Sequence, residues 1–165
     1  MTDGECVFER VTDADLRPDA STFGGIANVA NSVAAEGTPV ALPRVQDSRD
    51  IRLLYERVRE QRGAIFYARC DAWLVAFAVL EADASDERAG VVRVYVLPEY
   101  RRRGLGTELV EMAVQTARGL GYARLHGALP RGNPAALSFF GAVAPLVQIQ
   151  AGTMAYELPL EEEPA

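Results

Sequence analysis

A run of three arginines followed by two glycines has the clearest chemical potential in the sequence. It lies in the stretch VYVLPEYRRRGLGT, residues 94–107, where an apolar strand pattern gives way to a helix pattern. At such a junction several main-chain amides point the same way without partners, and the helix dipole adds about half a positive charge. Gly104 and Gly106 lack the Cβ atoms that would hold a ligand off the backbone, and the arginines at 101–103 add positive charge. The stretch therefore predicts a site for a phosphate-bearing cofactor.

The common nucleotide-binding motifs do not fit this stretch. A dinucleotide-binding fingerprint requires Gly-x-Gly-x-x-Gly, but Leu109 stands at the third glycine position. A phosphate loop requires a lysine, and all 17 cationic residues of the chain are arginine. The lack of lysine also excludes Schiff-base chemistry and a pyridoxal anchor. A nucleotide-phosphate binder of an unrelated fold stays open as an alternative.

A second motif begins at Asn133, which directly precedes Pro134. An asparagine followed by a proline is typical of a helix start, with the side chain as the cap and the proline at the first helical position. The short helix that follows would carry Ala136 and the aromatic pair Phe139 and Phe140.

Taken together, the two motifs resemble those of a known family. The pattern Arg101-x-x-Gly104-x-Gly106, after a Val-x-Val-x-Pro strand end, is similar to the acetyl-CoA signature of the GNAT superfamily of N-acetyltransferases, whose loop amides hold the cofactor diphosphate. The second motif is similar to the cofactor-contacting positions on the next helix of that family. The resemblance implies that the cofactor-binding residues are Val94, Val96, Leu97, Arg101, Arg102, Arg103, Gly104, Leu105, Gly106, Thr107, Asn133, Ala136, Phe139 and Phe140.

The resemblance also implies a fold and an activity. The fold class would be α+β (mixed αβ), a GNAT-like twisted sheet of mostly antiparallel strands, six to seven in number, flanked by about four helices and splayed at the central strand pair. The activity would be an acyltransferase reaction in which acetyl-CoA gives its acetyl group directly to a primary amine of a small molecule or peptide, without a covalent intermediate or a metal. The main-chain amide of Val96 would serve as the oxyanion donor, and one such donor contributes about 3 kcal/mol.

The sequence does not supply an obvious general acid or general base. A tyrosine often protonates the leaving thiolate in the family, and the resemblance puts Phe140 at that position. The even-numbered residues of 90–96 share one strand face and are a glycine and three valines, so no base is visible there. His126, the single histidine, stays a candidate because histidine titrates near neutrality, and so do the acidic residues between 81 and 87. An acyl-CoA-binding module with weak or no catalysis is therefore the alternative function.

The elements that would position these residues follow from hydrophobic periodicity. β-Branched and aromatic runs between turn residues predict strands, and apolar residues at helical spacing that end at a glycine predict helices. The polar segment 83–89 is expected to turn the chain, and the apolar strand after it is expected to be central and buried on both faces. Strands are predicted at 6–11, 64–69, 73–80, 91–97, 122–129, 147–150 and 153–158, and helices at 23–37, 47–63, 104–120 and 135–140.

The composition is that of one folded domain with an acidic balance. The chain has 165 residues and a net charge of −6, and we expect a single domain over 1–160 followed by an acidic tail at 161–165. An acidic balance argues against nucleic acid as a partner, and no apolar run approaches the ~18 residues that would span a bilayer. We expect a cytoplasmic protein that makes no membrane contact and is a monomer or a homodimer.

The two cysteines and the single histidine argue against a metal site. A structural zinc site requires four Cys or His ligands at short spacings, which Cys6, Cys70 and His126 do not provide. On the assumption of a reducing compartment, we expect both cysteines to be small core residues rather than a disulfide.

Overall fold

Seven strands form a single sheet in the part of the chain that the structure describes. The structure is a computed structural model, and it describes residues 5–17, 21–36, 46–129, 146–150 and 153–160, with only the backbone described at 127–129, 146–150 and 153–156. The strands are β1 Cys6–Arg10, β2 Ala64–Cys70, β3 Trp73–Asp83, β4 Asp86–Val96, β5 Arg124–Leu129, β6 Leu146–Gln150 and β7 Thr153–Pro159. Their order across the sheet is β1-β2-β3-β4-β5-β7-β6, and all neighbours are antiparallel except β4 and β5, which are parallel. The predicted mixed αβ fold is confirmed.

Helices cover both faces of this sheet. The first two pack on one face and the third packs on the other. The described helices are α1 Thr22–Ala34, α2 Ser48–Glu60 and α3 Leu105–Gly119, with short 3-10 turns at Asp13–Leu16 and Pro98–Tyr100.

The alternation of side chains along β3 and β4 divides the core into two clusters. On the face that α1 and α2 cover, Phe77 stacks on Tyr95 with ring centroids 4.6 Å apart. On the other face, Leu80 and Val92 pack in one cluster with Leu109 of α3. β4 is therefore a central strand with buried side chains on both faces, as predicted.

Reciprocal hydrogen bonds fix the start of α2. The Asp50 amide donates to Asp47 Oδ1 at 2.8 Å, and the Asp47 amide donates to Asp50 Oδ2 at 2.9 Å. The main-chain hydrogen bond from Asp50 holds the pKa of the Asp47 carboxyl below its ordinary value. The predicted helix start at this residue is confirmed.

The predicted turn over 83–89 is wrong, because both flanking strands extend into it. β3 continues to Asp83 and β4 begins at Asp86, so the turn itself is residues 84–85. Asp83 Oδ1 accepts hydrogen bonds from the amide and the hydroxyl of Ser85, both at 2.7 Å, which closes the turn locally. The polar sequence here indicates exposed strand ends and not a loop, since residues 87–88 of β4 are exposed.

The prediction that Cys6 and Cys70 are separate thiols is also wrong. The two residues face each other in the β1–β2 ladder with Cα atoms 4.1 Å apart, and their sulfurs form a disulfide. The adjacent Asp71 amide donates to the Glu5 carbonyl, so the cysteines occupy a non-hydrogen-bonded position, where facing side chains are closest. No local pattern indicates this pairing, because it depends on β1 and β2 meeting after the chain has passed through two helices.

The last two predicted strands are confirmed as β6 and β7. The predicted helix at 135–140 and the acidic tail at 161–165 lie outside the described residues. Among the helices that are described, none is long and apolar enough to cross a membrane.

Candidate cofactor site and active site

The centre of the sheet opens between β4 and β5. In the described backbone their parallel ladder consists of Ala89 with Arg124 and Gly90 with Leu125, although β4 continues to Val96. β5 instead pairs along its whole length with β7. The two strands therefore part beyond the second pair and leave a cleft along the end of β4. The predicted splay at the central strand pair is confirmed.

The peptide groups at the end of β4 point toward this cleft. The Leu97 amide donates to the Val75 carbonyl of β3 at 3.0 Å. Because successive residues of a strand direct their N–H and C=O groups to alternate sides, those of Val94 and Val96 point away from β3. The Val96 carbonyl accepts a hydrogen bond from Arg101 Nε on that side, at 3.1 Å. The Val96 N–H, which the resemblance assigns to the oxyanion, thus faces the cleft.

The first turn of α3 presents main-chain amides beside the loop that follows β4. Gly104 precedes the helix in the left-handed conformation, with φ +80°, where glycine is favoured. Its carbonyl accepts a helical hydrogen bond from the Glu108 amide at 3.1 Å. The amides of 105–107 precede that bond, and none of them has an acceptor among the described residues. A Cβ added at Gly104 would meet no atom of the described residues within 4 Å, so none of them fills the space before the helix.

The three arginines of the loop have different surroundings. Arg101 donates from Nη1 and Nη2 to the two carboxylate oxygens of Glu36, at 2.7 and 2.6 Å. Arg102 is exposed and has φ +63°, a conformation that costs a non-glycine residue about 1 kcal/mol. Arg103 is exposed, and its guanidinium carbon lies 5.1 Å from the centre of the Tyr100 ring. Arg102 and Arg103 can therefore meet an anion from solvent, whereas the protein itself already binds Arg101.

Two contacts hold this loop against the rest of the fold. Leu105, among the predicted cofactor-binding residues, is 4% exposed and packs with Cys70 and Val75, so it offers a ligand its main-chain amide rather than its side chain. The second contact is the pair of hydrogen bonds from Arg101 to Glu36, at the end of α1, a residue that the sequence analysis did not assign to the site. Glu36 lies 65 positions from Arg101, and no motif links the two.

His126 lies at the closed end of the cleft, next to the last residue pair of β4 and β5, and on the face that α1 and α2 cover. Its neighbour Leu125 packs in the cluster of α3, so the histidine projects to the opposite face. His126 Nε2 is 2.5 Å from Asp83 Oδ2. The Ser85 amide and hydroxyl lower the pKa of the Asp83 carboxyl, with a further contribution from His126, and burial acts in the opposite direction.

The register places His126 away from the end of β4. Leu125 is paired with Gly90, so His126 is level with the next residue of β4, five positions before Val96. At about 3.3 Å per residue this separation is about 16 Å along the strand. A Cβ added at Gly90 would lie 2.9 Å from Leu125 Cδ2, so this position cannot accept a basic side chain without movement.

Two of the acidic residues between 81 and 87, Glu81 and Asp86, form ion pairs with arginines. Glu81 Oε1 lies 2.9 Å from Arg93 Nη1 and 3.6 Å from Arg57 Nη2. Asp86 is paired with Arg124 of β5. These contacts join neighbouring strands and α2, and they engage Glu81 and Asp86 with arginines instead of leaving both carboxylates free for an amine.

A comparison with protein families identifies this arrangement. Residues 32–142, more than half of the chain, match the acetyltransferase (GNAT) family. The chain belongs to the GNAT family. The matched range includes β4 and β5, which border the cleft, and the loop and helix start that follow β4.

Solved structures share the GNAT fold of this chain at low sequence identity. The Salmonella typhimurium protein yncA, whose structure holds acetyl-CoA, has a TM-score of 0.78 and 16% identity, covering 97% of this chain and 96% of that chain. The ribosomal-protein-alanine N-acetyltransferase of Brucella melitensis has a TM-score of 0.76 and 14% identity, with 93% and 99% covered. The phosphinothricin acetyltransferase of Sinorhizobium meliloti, in complex with acetyl-CoA, has a TM-score of 0.74 and 15% identity, with 93% and 89% covered. A comparison with curated protein sequences found no match.

The second half of the GNAT signature lies outside the described residues. It comprises Asn133, Ala136, Phe139 and Phe140, whose contacts with the cofactor stay predictions. In the ranges that are described, no group of three or more His, Cys, Asp or Glu side chains could hold a metal ion. The described part of the site therefore consists of a helix start with free amides, two exposed arginines and a strand end whose peptide groups face a cleft.

Proposed function

We propose that this chain is an N-acetyltransferase that moves the acetyl group of acetyl-CoA directly to a primary amine of a small molecule or peptide. The observation that carries the proposal is the set of amides at 105–107 without an acceptor among the described residues, close to a cleft that the Val96 N–H faces. The first feature suits a diphosphate and the second suits a carbonyl, and acetyl-CoA contains both groups. The acetyl-CoA held by the structures of yncA and the Sinorhizobium meliloti enzyme supports this choice.

In this proposal the start of α3 binds the diphosphate of acetyl-CoA. The amides of Leu105, Gly106 and Thr107 donate to its oxygens, and the helix dipole favours the negative charge by up to about 2 kcal/mol in a partly buried site. Arg102 and Arg103 attract the cofactor from solvent at longer range. The buried side chain of Leu105 keeps the first amide pointing outward.

The end of β4 then holds the reacting thioester. The Val96 N–H donates to the carbonyl oxygen and stabilises the negative charge that forms when the amine attacks, with a contribution of about 3 kcal/mol. The Val94 N–H points to the same side, so the amide-rich arm of the cofactor can pair with this strand edge as an added strand would. The half-buried valine side chains surround the thioester with apolar atoms, which strengthens the hydrogen bond from Val96.

Proton transfer in this proposal involves water. Glu36 is linked to the end of β4 through Arg101, but that arginine binds both of its carboxylate oxygens, so they are not free to take a proton. His126 is about 16 Å from Val96 along the strand. The neutral amine therefore attacks the thioester carbon and loses one proton to water as the amide forms, and the C–S bond breaks to release the thiolate, whose ordinary pKa is about 8.5. No acid among the described residues is placed to protonate that thiolate, so water does so in this proposal.

A binding module for acyl-CoA is the second candidate function. It is favoured by the α3 face of β4, where the even-numbered residues of 90–96 carry no ionisable group. Such a module would bind acetyl-CoA with the same amides and release no thiol in the presence of any amine.

One pair of glycine variants tests the cofactor site. In Gly106→Glu, a side chain and a negative charge stand where the diphosphate is proposed, so we expect calorimetry to find no acetyl-CoA binding while circular dichroism finds an intact fold. Gly119→Glu makes the same change at the exposed last residue of α3, and it should bind like the wild type. Equal affinity in both variants would refute the loop assignment. Release of free thiol with a panel of amines distinguishes the enzyme from the binding module.

A further inference from the structure

Glu36 and Arg101 join two parts of the fold that lie on opposite faces of the sheet. The Glu36 amide donates to the Val33 carbonyl at 3.2 Å, which attaches the glutamate to the last turn of α1. Arg101 belongs to the loop that leads into α3 on the other face. Their side chains form two parallel hydrogen bonds of 2.7 and 2.6 Å, the bidentate geometry that orients an arginine most strongly. The two side chains are 33% and 30% exposed, so solvent screens the pair only in part.

The third contact of Arg101 reaches the group that the proposed reaction needs. Its Nε donates to the Val96 carbonyl at 3.1 Å, so the planar guanidinium is held by Glu36 on one side and by β4 on the other. This hydrogen bond fixes the peptide plane between Val96 and Leu97. The Val96 N–H belongs to the preceding peptide plane, which joins this one at the Val96 Cα, so a shift of the Val96 carbonyl is accompanied by changes of φ and ψ that redirect the N–H.

We propose that Glu36 is a positioning residue for acetyl transfer. It acts through Arg101 to orient the Val96 N–H and to hold the loop between β4 and α3 against α1. The inference rests on the proposed function, because that function gives the Val96 amide its role. It also changes the role of Arg101, which the family resemblance puts among the residues that bind the cofactor. In this inference Arg101 holds Glu36 and the end of β4 together, and Arg102 and Arg103 are the arginines that face the cofactor.

Other roles for the pair predict different results. An ion pair that serves only stability would affect the melting temperature and leave kcat unchanged. A direct phosphate contact by Arg101 would become stronger when Glu36 no longer competes for the guanidinium, so acetyl-CoA would bind more tightly. A positioning residue affects the transition state more than cofactor binding, because a misdirected donor fails where charge develops.

The test compares Glu36→Gln with Glu60→Gln, the same change at the exposed last residue of α2. We expect Glu36→Gln to lower kcat about tenfold while the Kd of acetyl-CoA by calorimetry and the KM for acetyl-CoA stay at their wild-type values. Glu60→Gln should match the wild type in all three quantities. Arg101→Lys is the second variant, because lysine keeps the charge but lacks the planar fork, and we expect it to lose kcat in the same way.

Each other outcome overturns the inference. Wild-type kcat in both Glu36→Gln and Arg101→Lys would show that the pair does not position the donor. Tighter acetyl-CoA binding by Glu36→Gln, most marked at low salt, would identify Arg101 as a phosphate ligand. A wild-type protein that binds acetyl-CoA and acetylates no amine would refute the proposed function, and the role of Glu36 with it.

Discussion

Arg101, Arg102 and Arg103 carry the same side chain at consecutive positions, yet each makes a different kind of contact. Arg101 binds Glu36 and the Val96 carbonyl within the fold. Arg102 has a left-handed backbone, and Arg103 lies over the Tyr100 ring. The motif therefore predicts an anion site as a whole, whereas the backbone path and local contacts leave Arg102 and Arg103 exposed and Arg101 bound within the fold.

Arg102→Gly separates the backbone cost of this residue from its charge. Glycine adopts a positive φ without a steric penalty, so we expect the free energy of unfolding to rise by about 0.5 kcal/mol. The loss of one exposed positive charge should weaken acetyl-CoA binding about threefold at low salt and less at high salt. Thermal unfolding and calorimetry at two salt concentrations measure the two effects. Arg102→Lys is the control and should keep both the wild-type stability and affinity, and an unchanged Kd in Arg102→Gly would contradict a role for this charge.

At the scale of elements, the edge of the sheet supports the start of α3. Leu105, the first residue of α3, packs in one cluster with Cys70 of β2, and Cys70 is joined to Cys6 of β1. The disulfide therefore lies under the helix turn whose amides are proposed to bind the diphosphate. Its main physical effect is on the unfolded chain, because it closes a loop between residues 64 positions apart.

The double variant Cys6→Ala/Cys70→Ala measures this contribution. Loop-closure entropy for a separation of this length predicts that the free energy of unfolding falls by about 4 kcal/mol. Urea unfolding should show the difference, and a reducing agent should bring the wild type down to the level of the double variant. The double variant itself should not respond to the reducing agent. A wild type that is equally stable with and without reductant would contradict the disulfide.

Sequence predicts those elements and site residues whose chemistry is local. The helix starts predicted near residues 47 and 104 each depend on a few neighbouring residues, and the structure confirms both. The turn after β3 was misplaced because polar residues indicate exposure, and exposed strand ends share that property with loops. The disulfide and the Glu36–Arg101 pair could not be predicted, because they join residues 64 and 65 positions apart that only the folded sheet brings together.

At the scale of the whole molecule, the cleft lies at the one parallel strand pair of the described sheet. β4 and β5 are parallel while every other described pair is antiparallel, and β5 leaves β4 after two residue pairs to follow β7. In the proposed reaction the cofactor reaches the cleft from the α3 face, so the acceptor amine approaches from the face of α1 and α2, where the Glu36–Arg101 pair ends.

The described part of the proposed cofactor site is built from β4, the loop after it and α3, and it is supported by α1 and by the β1–β2 edge of the sheet. Because these elements span the fold, acetyl-CoA should stabilise the fold as a unit. A ligand that binds only the folded state at 100 times its Kd adds about 2.7 kcal/mol. For a chain of this size that corresponds to a rise in melting temperature of about 5–10 °C. We expect acetyl-CoA and CoA to produce this shift in thermal unfolding, ATP at equal concentration to produce a smaller one, and Gly106→Glu to show none. A larger shift with ATP than with CoA would instead indicate a nucleotide-phosphate binder. Such a site would recognise the nucleotide, and the amide-rich arm of CoA, which the cleft is proposed to hold, would add nothing to its affinity.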